Sequence, residues 1–159
     1  MILLFTSIIL FNLIAYKYSK RLTQNQICHI WIFTISFQVL FDIFMEYKYM
    51  AYWYFDKDVD WLGLLAHIFL IPPVNVIFLN GFPSKSSPQR QLAYIALWTC
   101  FVLIYEYTAI LPEPIGFFHL GWWEVWYDIF VAPVLFIILL GYFKYILILE
   151  KRVLDSRNT

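Results

Sequence analysis

Five continuous apolar stretches, separated by short polar segments, dominate the pattern of this chain. They cover residues 2–16, 28–47, 61–80, 92–111 and 127–149. Crossing about 30 Å of hydrocarbon takes about 20 helical residues; four stretches have that length and the first is shorter. A membrane β-strand would alternate apolar and polar residues. The pattern therefore predicts an all-α, polytopic bundle of five transmembrane helices, one transmembrane domain over residues 1–159 that ends in a cytoplasmic tail at 150–159.

The basic residues are distributed unevenly between the two sides of this predicted bundle. Two of them, Lys48 and Lys57, fall on one side. The opposite side receives Lys17, Lys20, Arg21, Lys85, Arg90, Lys144, Lys151, Arg152 and Arg157. Because cytoplasmic loops of membrane proteins are enriched in Lys and Arg, we predict that the N-terminus is outside and the C-terminus inside.

The composition supports a membrane protein and excludes other classes. Hydrophobic residues make up 62% of the chain and charged residues 14%, whereas soluble domains carry about 25% charged residues. The formal net charge of zero argues against nucleic acid as a partner, since binding phosphates requires a surplus of Lys and Arg. The expected surroundings are the lipid bilayer of the cell (cytoplasmic) membrane, with the chain crossing it several times.

Ionisable residues cluster in the predicted outer halves of the helices. Gln38, Asp42 and Glu46 follow each other at i,i+4 spacing, so they share one helix face. His67 and Glu106 reach a similar depth on the third and fourth helices. The main candidate site consists of Asp42, Glu46, His67 and Glu106, with Gln38 as a secondary candidate. A charge at the membrane centre costs about 3 kcal/mol, so it must face a partner or a wet cavity.

A second acidic group stands where the fifth helix begins. Asp128 lies at the outer end of that helix, and His119 and Glu124 precede it closely. Two interpretations of the whole polar set remain open. It forms a site for a cation, a proton or a polar substrate, or it is a hydrogen-bonded clamp that holds the helices together.

The third helix contains the sequence IPPVN. Pro72 and Pro73 lack the N–H groups that would bond to the carbonyls of Ile68 and Phe69, and Asn75 follows one turn later. Freed carbonyls in a broken helix are a known type of ion or substrate site, but prolines also produce plain kinks. The outer tyrosines and tryptophans are open to two readings as well, an interfacial aromatic belt or a surface for a lipid-like ligand.

Several kinds of chemistry have no motif in the chain. There is no clustered metal-ligand motif, no glycine-rich nucleotide loop and no nucleophile elbow. We therefore predict no metal and no cofactor, and no motif identifies a catalytic residue.

The last third resembles a known family. Its marks are LIYEY around Glu106, an aromatic turn with Gly121 and Trp122, and the closing GYFKY. Over residues 100–146 the chain resembles small, uncharacterised multi-pass membrane proteins of spore-forming Gram-positive bacteria. The resemblance implies a bacterial cytoplasmic membrane and a link to sporulation, and it supplies no catalytic residues.

Three functions are compatible with these features. The leading hypothesis is a non-enzymatic component that binds a lipid-like ligand, another membrane protein, or a second copy of itself as a homo-oligomer. The second is a transporter of ions, protons or small solutes. The third is an intramembrane enzyme that acts on an apolar lipid or isoprenoid substrate with Asp42 or Glu106 as the general acid.

Overall fold

The computed structural model describes residues 1–58 and 61–157, so the last two residues of the predicted tail lie outside the described part. The helices are α1 Ile2–Tyr18, α2 Gln24–Asp42, α3 Trp61–Leu65, α4 Ile71–Gly81, α5 Pro88–Ala109 and α6 Asp128–Arg157. A first π-helical turn, Ile43–Lys48, continues α2, and a second, Ala66–Leu70, joins α3 to α4. A 3₁₀ turn, Val125–Tyr127, precedes α6, and the strands are β1 Tyr52–Tyr54 and β2 Phe118–Leu120.

Four continuous helical segments of the described chain are long and apolar enough to cross a membrane. They are Gln24–Lys48, Trp61–Gly81, Pro88–Ala109 and Val125–Ser156. The remaining helix, α1, is apolar but has only 17 residues. The prediction of a helical, membrane-type protein is thus confirmed at this level.

Polar residues set the ends of two helices. Thr23 and Gln26 form a capping box at the start of α2, in which each side chain accepts a hydrogen bond from the other residue's backbone N–H. Pro88 opens α5, a position where its fixed φ and missing N–H cost nothing. Both helices consequently begin four residues before the apolar stretches at 28 and 92.

The second π-helical turn ends at the proline pair. Pro72 and Pro73 are buried at the start of α4, and the α-helical bonds that they cannot donate leave the preceding turn free to widen. The carbonyl of Phe69 then accepts a hydrogen bond from the Asn12 side chain at 2.8 Å. The carbonyl that the proline pair frees is thus used for a hydrogen bond to α1.

Packing between the helices forms two apolar cores. α1 packs on the second π-helical turn and α4, α2 on α4 and α6, and α5 on α6. One core, at the end of the bundle that carries the strands, consists of Leu4, Ala51, Tyr52, Tyr54, Ala66, Leu70, Ala109, Phe117 and Trp123. The other, towards the opposite end, consists of Ile30, Val76, Phe78, Leu79, Ile95, Ala132, Phe136 and Leu139.

A two-stranded antiparallel sheet covers one end of the bundle, hereafter the sheet end. β1 pairs with β2 so that Tyr52 lies opposite Leu120 and Tyr54 opposite Phe118. Side chains alternate along a strand, so Tyr52 and Tyr54 point together into the bundle, while Trp53 between them stacks on His119. The sequence predicted no strand here, only an aromatic segment in the headgroup zone.

Backbone hydrogen bonds fix the connections on either side of the sheet. The backbone N–H groups of Gly121 and Trp123 both donate to the carbonyl of Ala51, at 2.9 and 3.0 Å. A side chain on Gly121 would collide with the carbonyls of Met50 and Ala51. The first turn of α1 also lies at this end, because the N–H of Ile2 donates to the carbonyl of Pro114 at 3.0 Å.

Candidate functional site

Three ionisable side chains meet in the interior near the sheet end. Asp42 and Glu46 are 2% exposed and His67 is 5% exposed. One carboxylate oxygen of each acid and one imidazole nitrogen lie within 4.8 Å of one another. The structure therefore brings together three of the four residues predicted to form the main site, and we call them the buried triad.

Asp42 is the centre of the buried triad. Its Oδ1 accepts a hydrogen bond from the Tyr52 hydroxyl at 2.6 Å, and its Oδ2 accepts one from the Gln38 amide at 2.9 Å. The same Oδ2 lies 2.5 Å from Nε2 of His67 as an ion pair, although Nε2 has no hydrogen-bond partner. Asp42 thus links α2 to the sheet and to the second π-helical turn.

The sheet supplies a second contact to the triad through Tyr54. Its backbone N–H donates to Oε1 of Glu46 at 3.2 Å, and its ring packs edge-on against the His67 imidazole at 4.8 Å. Burial, followed by the charge of Asp42, raises the pKa values of the Tyr52 and Tyr54 phenols well above their usual range. Both hydroxyls therefore stay protonated, and Tyr52 remains a donor to Asp42.

The triad residues are placed by the two π-helical turns. Asp42 is the last residue of α2, Glu46 lies within the first π-helical turn and His67 within the second. Such turns are rare in proteins and occur frequently at functional sites. The sequence predicted a plain i,i+4 relationship between Asp42 and Glu46; the widened turn was not foreseen.

Glu106 does not join the triad but pairs with Asp128. Their carboxyl groups lie close enough to interact directly, and Oδ2 of Asp128 accepts a hydrogen bond from the Trp123 indole at 2.9 Å. Two ionised carboxylates have only acceptor atoms, so a direct hydrogen bond between them would require one shared proton. We call these two residues the carboxyl pair.

Two adjoining cavities lie between the helices. The first, about 240 Å³, has mainly aliphatic and aromatic walls that include Phe37, Phe101 and Leu139. The second, about 220 Å³, is lined by the carboxyl pair and by the Tyr52 and Tyr54 side chains. Gln38, Leu70 and Tyr105 line both cavities, so the apolar cavity lies directly beside the acidic one.

The secondary candidates have separate positions. Asn75 donates to the Thr34 hydroxyl at 3.0 Å and lines the first cavity, so it acts as a polar contact between α4 and α2. His119 is exposed and stacks on Trp53. Glu124 is exposed and accepts from the Trp126 indole at 2.9 Å. The structure brings neither His119 nor Glu124 into the triad or the pair.

Sequence reasoning missed the inward role of three aromatic residues. Tyr52, Tyr54 and Trp123 were assigned to an interfacial belt or a ligand surface, yet they are buried and contact the acidic groups. The usable signal was the run of aromatic residues Tyr52–Tyr54, because tyrosine and tryptophan are enriched in strands.

Comparison with protein families, curated proteins and solved structures found no match to this chain.

Proposed function

We propose that this protein binds a lipid-like ligand between its helices, with the apolar part in the two cavities and a hydroxyl group at the carboxyl pair. The observation that carries the proposal is that an apolar cavity adjoins an acidic one and shares lining residues with it. Together the cavities have the size of small-molecule sites, which span about 300–1,000 Å³. Such sites combine apolar walls with a few polar groups that orient the ligand.

The carboxyl pair favours a neutral head group. With one shared proton, the pair can both donate a hydrogen bond and accept one, which matches an alcohol. Among the described residues that line either cavity there is no Lys, Arg or His. A phosphate or carboxylate head group would therefore meet negative charge without a cation, which is costly at low dielectric. A long-chain alcohol, such as a prenol, fits these constraints.

We place the protein in the cytoplasmic membrane as a five-helix, multi-pass protein with its N-terminus outside. The short α1 packs along the second π-helical turn and α4, which supports its crossing beside them. Nine of the eleven basic residues belong to the side away from the sheet end and only Lys48 and Lys57 flank the sheet, so the positive-inside rule turns the sheet end outward. Under this proposal the carboxyl pair and the buried triad belong to the outer half of the bundle. A bacterial setting is implied by the resemblance of residues 100–146.

The binding experiment uses purified protein in nanodiscs and three radiolabelled ligands of equal length: a prenol, the matching prenyl phosphate and an alkane. We expect saturable binding of the prenol and weaker binding of the other two. In the Glu106→Gln/Asp128→Asn double variant, prenol affinity should fall at least about tenfold, equivalent to about 1.4 kcal/mol. Glu124→Gln, a nearby exposed acid, is the control. Equal prenol affinity in the double variant, or tighter binding of the phosphate, refutes the proposal.

The same pair supports a second candidate, acid catalysis on an unsaturated ligand. A carboxyl proton added to an alkene carbon gives a carbocation, and loss of another proton to the carboxylate moves the double bond without consuming a further reactant. Asp42 lines neither cavity, so this candidate depends on Glu106 and Asp128. Incubating the prenol with the protein in D₂O tests it. Deuterium in the recovered prenol, lost in the double variant, indicates catalysis; unlabelled prenol excludes it.

A further inference from the structure

The buried triad has the composition of a metal site. It combines two carboxylates and one imidazole, the donor types that zinc and related divalent transition metals accept in proteins. All three side chains are more than nine-tenths buried and their donor atoms lie within 4.8 Å. This arrangement differs from an exposed acidic patch, because burying carboxylates is costly unless a partner compensates their charge.

The histidine provides an independent indication of a ligand. Nε2 of His67 is buried among the acids and makes no hydrogen bond, although Asp42 Oδ2 lies 2.5 Å from it. A buried nitrogen without a hydrogen bond is unusual in proteins. A cation between these atoms satisfies both of them. The two atoms would then have to separate to about 3.3 Å, given metal bond lengths of about 2.0–2.2 Å.

The surroundings of the triad resemble the outer shell of a metal site. Gln38 and Tyr52 hold the Asp42 carboxylate from both sides, and the backbone N–H of Tyr54 holds Glu46. Such outer-shell hydrogen bonds fix ligands in orientation. The ammonium groups of two lysines at this end lie over aromatic rings. Nζ of Lys48 is 5.3 Å from the centroid of the Tyr49 ring, and Nζ of Lys57 is 4.7 Å from the centroid of the Trp53 ring.

We propose that Asp42, Glu46 and His67 bind one divalent transition metal ion, with zinc as the best match. The ion joins the α2 segment to the second π-helical turn and so stabilises the sheet end. Its role is structural, because the Tyr52 and Tyr54 side chains line the second cavity whereas the three ligands do not. The proposal is independent of the lipid-like ligand and is tested without it.

Metal content is measured on the full chain, purified in detergent, stripped with EDTA, incubated with ZnCl₂ and desalted. We expect about one zinc per chain for the wild type and at least a tenfold weaker zinc affinity for His67→Gln and for Glu46→Gln. His119→Gln, which changes an exposed histidine at the same end, should retain the wild-type affinity. A wild type that holds no zinc, or a folded His67→Gln variant with unchanged affinity, overturns the proposal.

Two further measurements keep the test decisive if the variants do not fold. Adding zinc to the stripped wild type should raise its unfolding temperature saturably, by on the order of 5 °C, because the ion binds the folded state. Substituting Co²⁺ should give visible absorption bands of a nitrogen- and oxygen-ligated ion. No temperature shift together with a colourless cobalt sample overturns the proposal.

Discussion

The side-chain amide of Asn12 donates to the carbonyl oxygen of Phe69 at 2.8 Å. That carbonyl is the acceptor that Pro73 leaves without its α-helical donor. A proline in one helix is thus compensated by an asparagine on another, and α1 is fixed against the second π-helical turn. The pairing gives the freed carbonyl the hydrogen bond that its own helix cannot supply.

The first prediction concerns this pairing. Asn12→Ala should lower the free energy of unfolding by about 1 kcal/mol, the usual size of a polar contact between membrane helices. In a Pro73→Ala background the restored backbone N–H donates to the Phe69 carbonyl. Asn12→Ala should then lower the free energy of unfolding by a smaller amount. Unfolding in mixed micelles with SDS measures both. If Asn12→Ala lowered the free energy of unfolding equally in both backgrounds, the pairing would be contradicted.

A second prediction addresses the link between the sheet and the triad. Tyr52→Phe removes the hydroxyl that donates to Asp42 and leaves a buried acceptor without that bond, which should cost about 1–3 kcal/mol of stability. Tyr107→Phe, which removes the hydroxyl of an exposed tyrosine on α5, should cost almost nothing. Thermal unfolding followed by circular dichroism compares the two; similar stabilities would mean that the bond contributes little.

The third prediction tests whether the first cavity receives the ligand. Ala132 lines that cavity, whereas the neighbouring Val134 faces outward. Ala132→Phe should fill the space and lower prenol affinity by more than about tenfold, a loss of about 1.4 kcal/mol. Val134→Phe should leave the affinity unchanged. Both are measured by the nanodisc binding experiment. Unchanged affinity in a folded Ala132→Phe protein would place the ligand elsewhere.

A fourth prediction concerns the tight turn before α6. Gly121→Ala introduces a methyl group against the carbonyls of Met50 and Ala51 and should destabilise the protein by about 1–3 kcal/mol, as overpacking does. The control is Gly141→Ala within α6, where the added carbon meets no atom within 4 Å beyond the adjoining backbone of its own helix. There alanine should be neutral or stabilising by up to about 1 kcal/mol. The comparison fails if both variants unfold at the same temperature.

Local pattern predicted a substantial part of the candidate site. The i,i+4 spacing placed Asp42 and Glu46 together, and depth along the third helix placed His67 near them. Both placements follow from helix geometry alone, because the fixed rise per residue sets how far along the helix axis each side chain lies. The same depth argument grouped Glu106 with the triad. The structure pairs it with Asp128 instead, because α5 packs on α6 rather than on α2.

The sequence by itself determined the helical, membrane-type class and the carbonyls that Pro72 and Pro73 would leave free, because both follow from chemistry that acts within one helix. Only the tertiary structure decided that Tyr52 and Tyr54 pair with Phe118–Leu120 and point inward, and which acids share a site. The strands lie more than sixty residues apart in the chain. Their pairing depends on where four helices end and how they pack, whereas the aromatic composition fits an interfacial belt equally well.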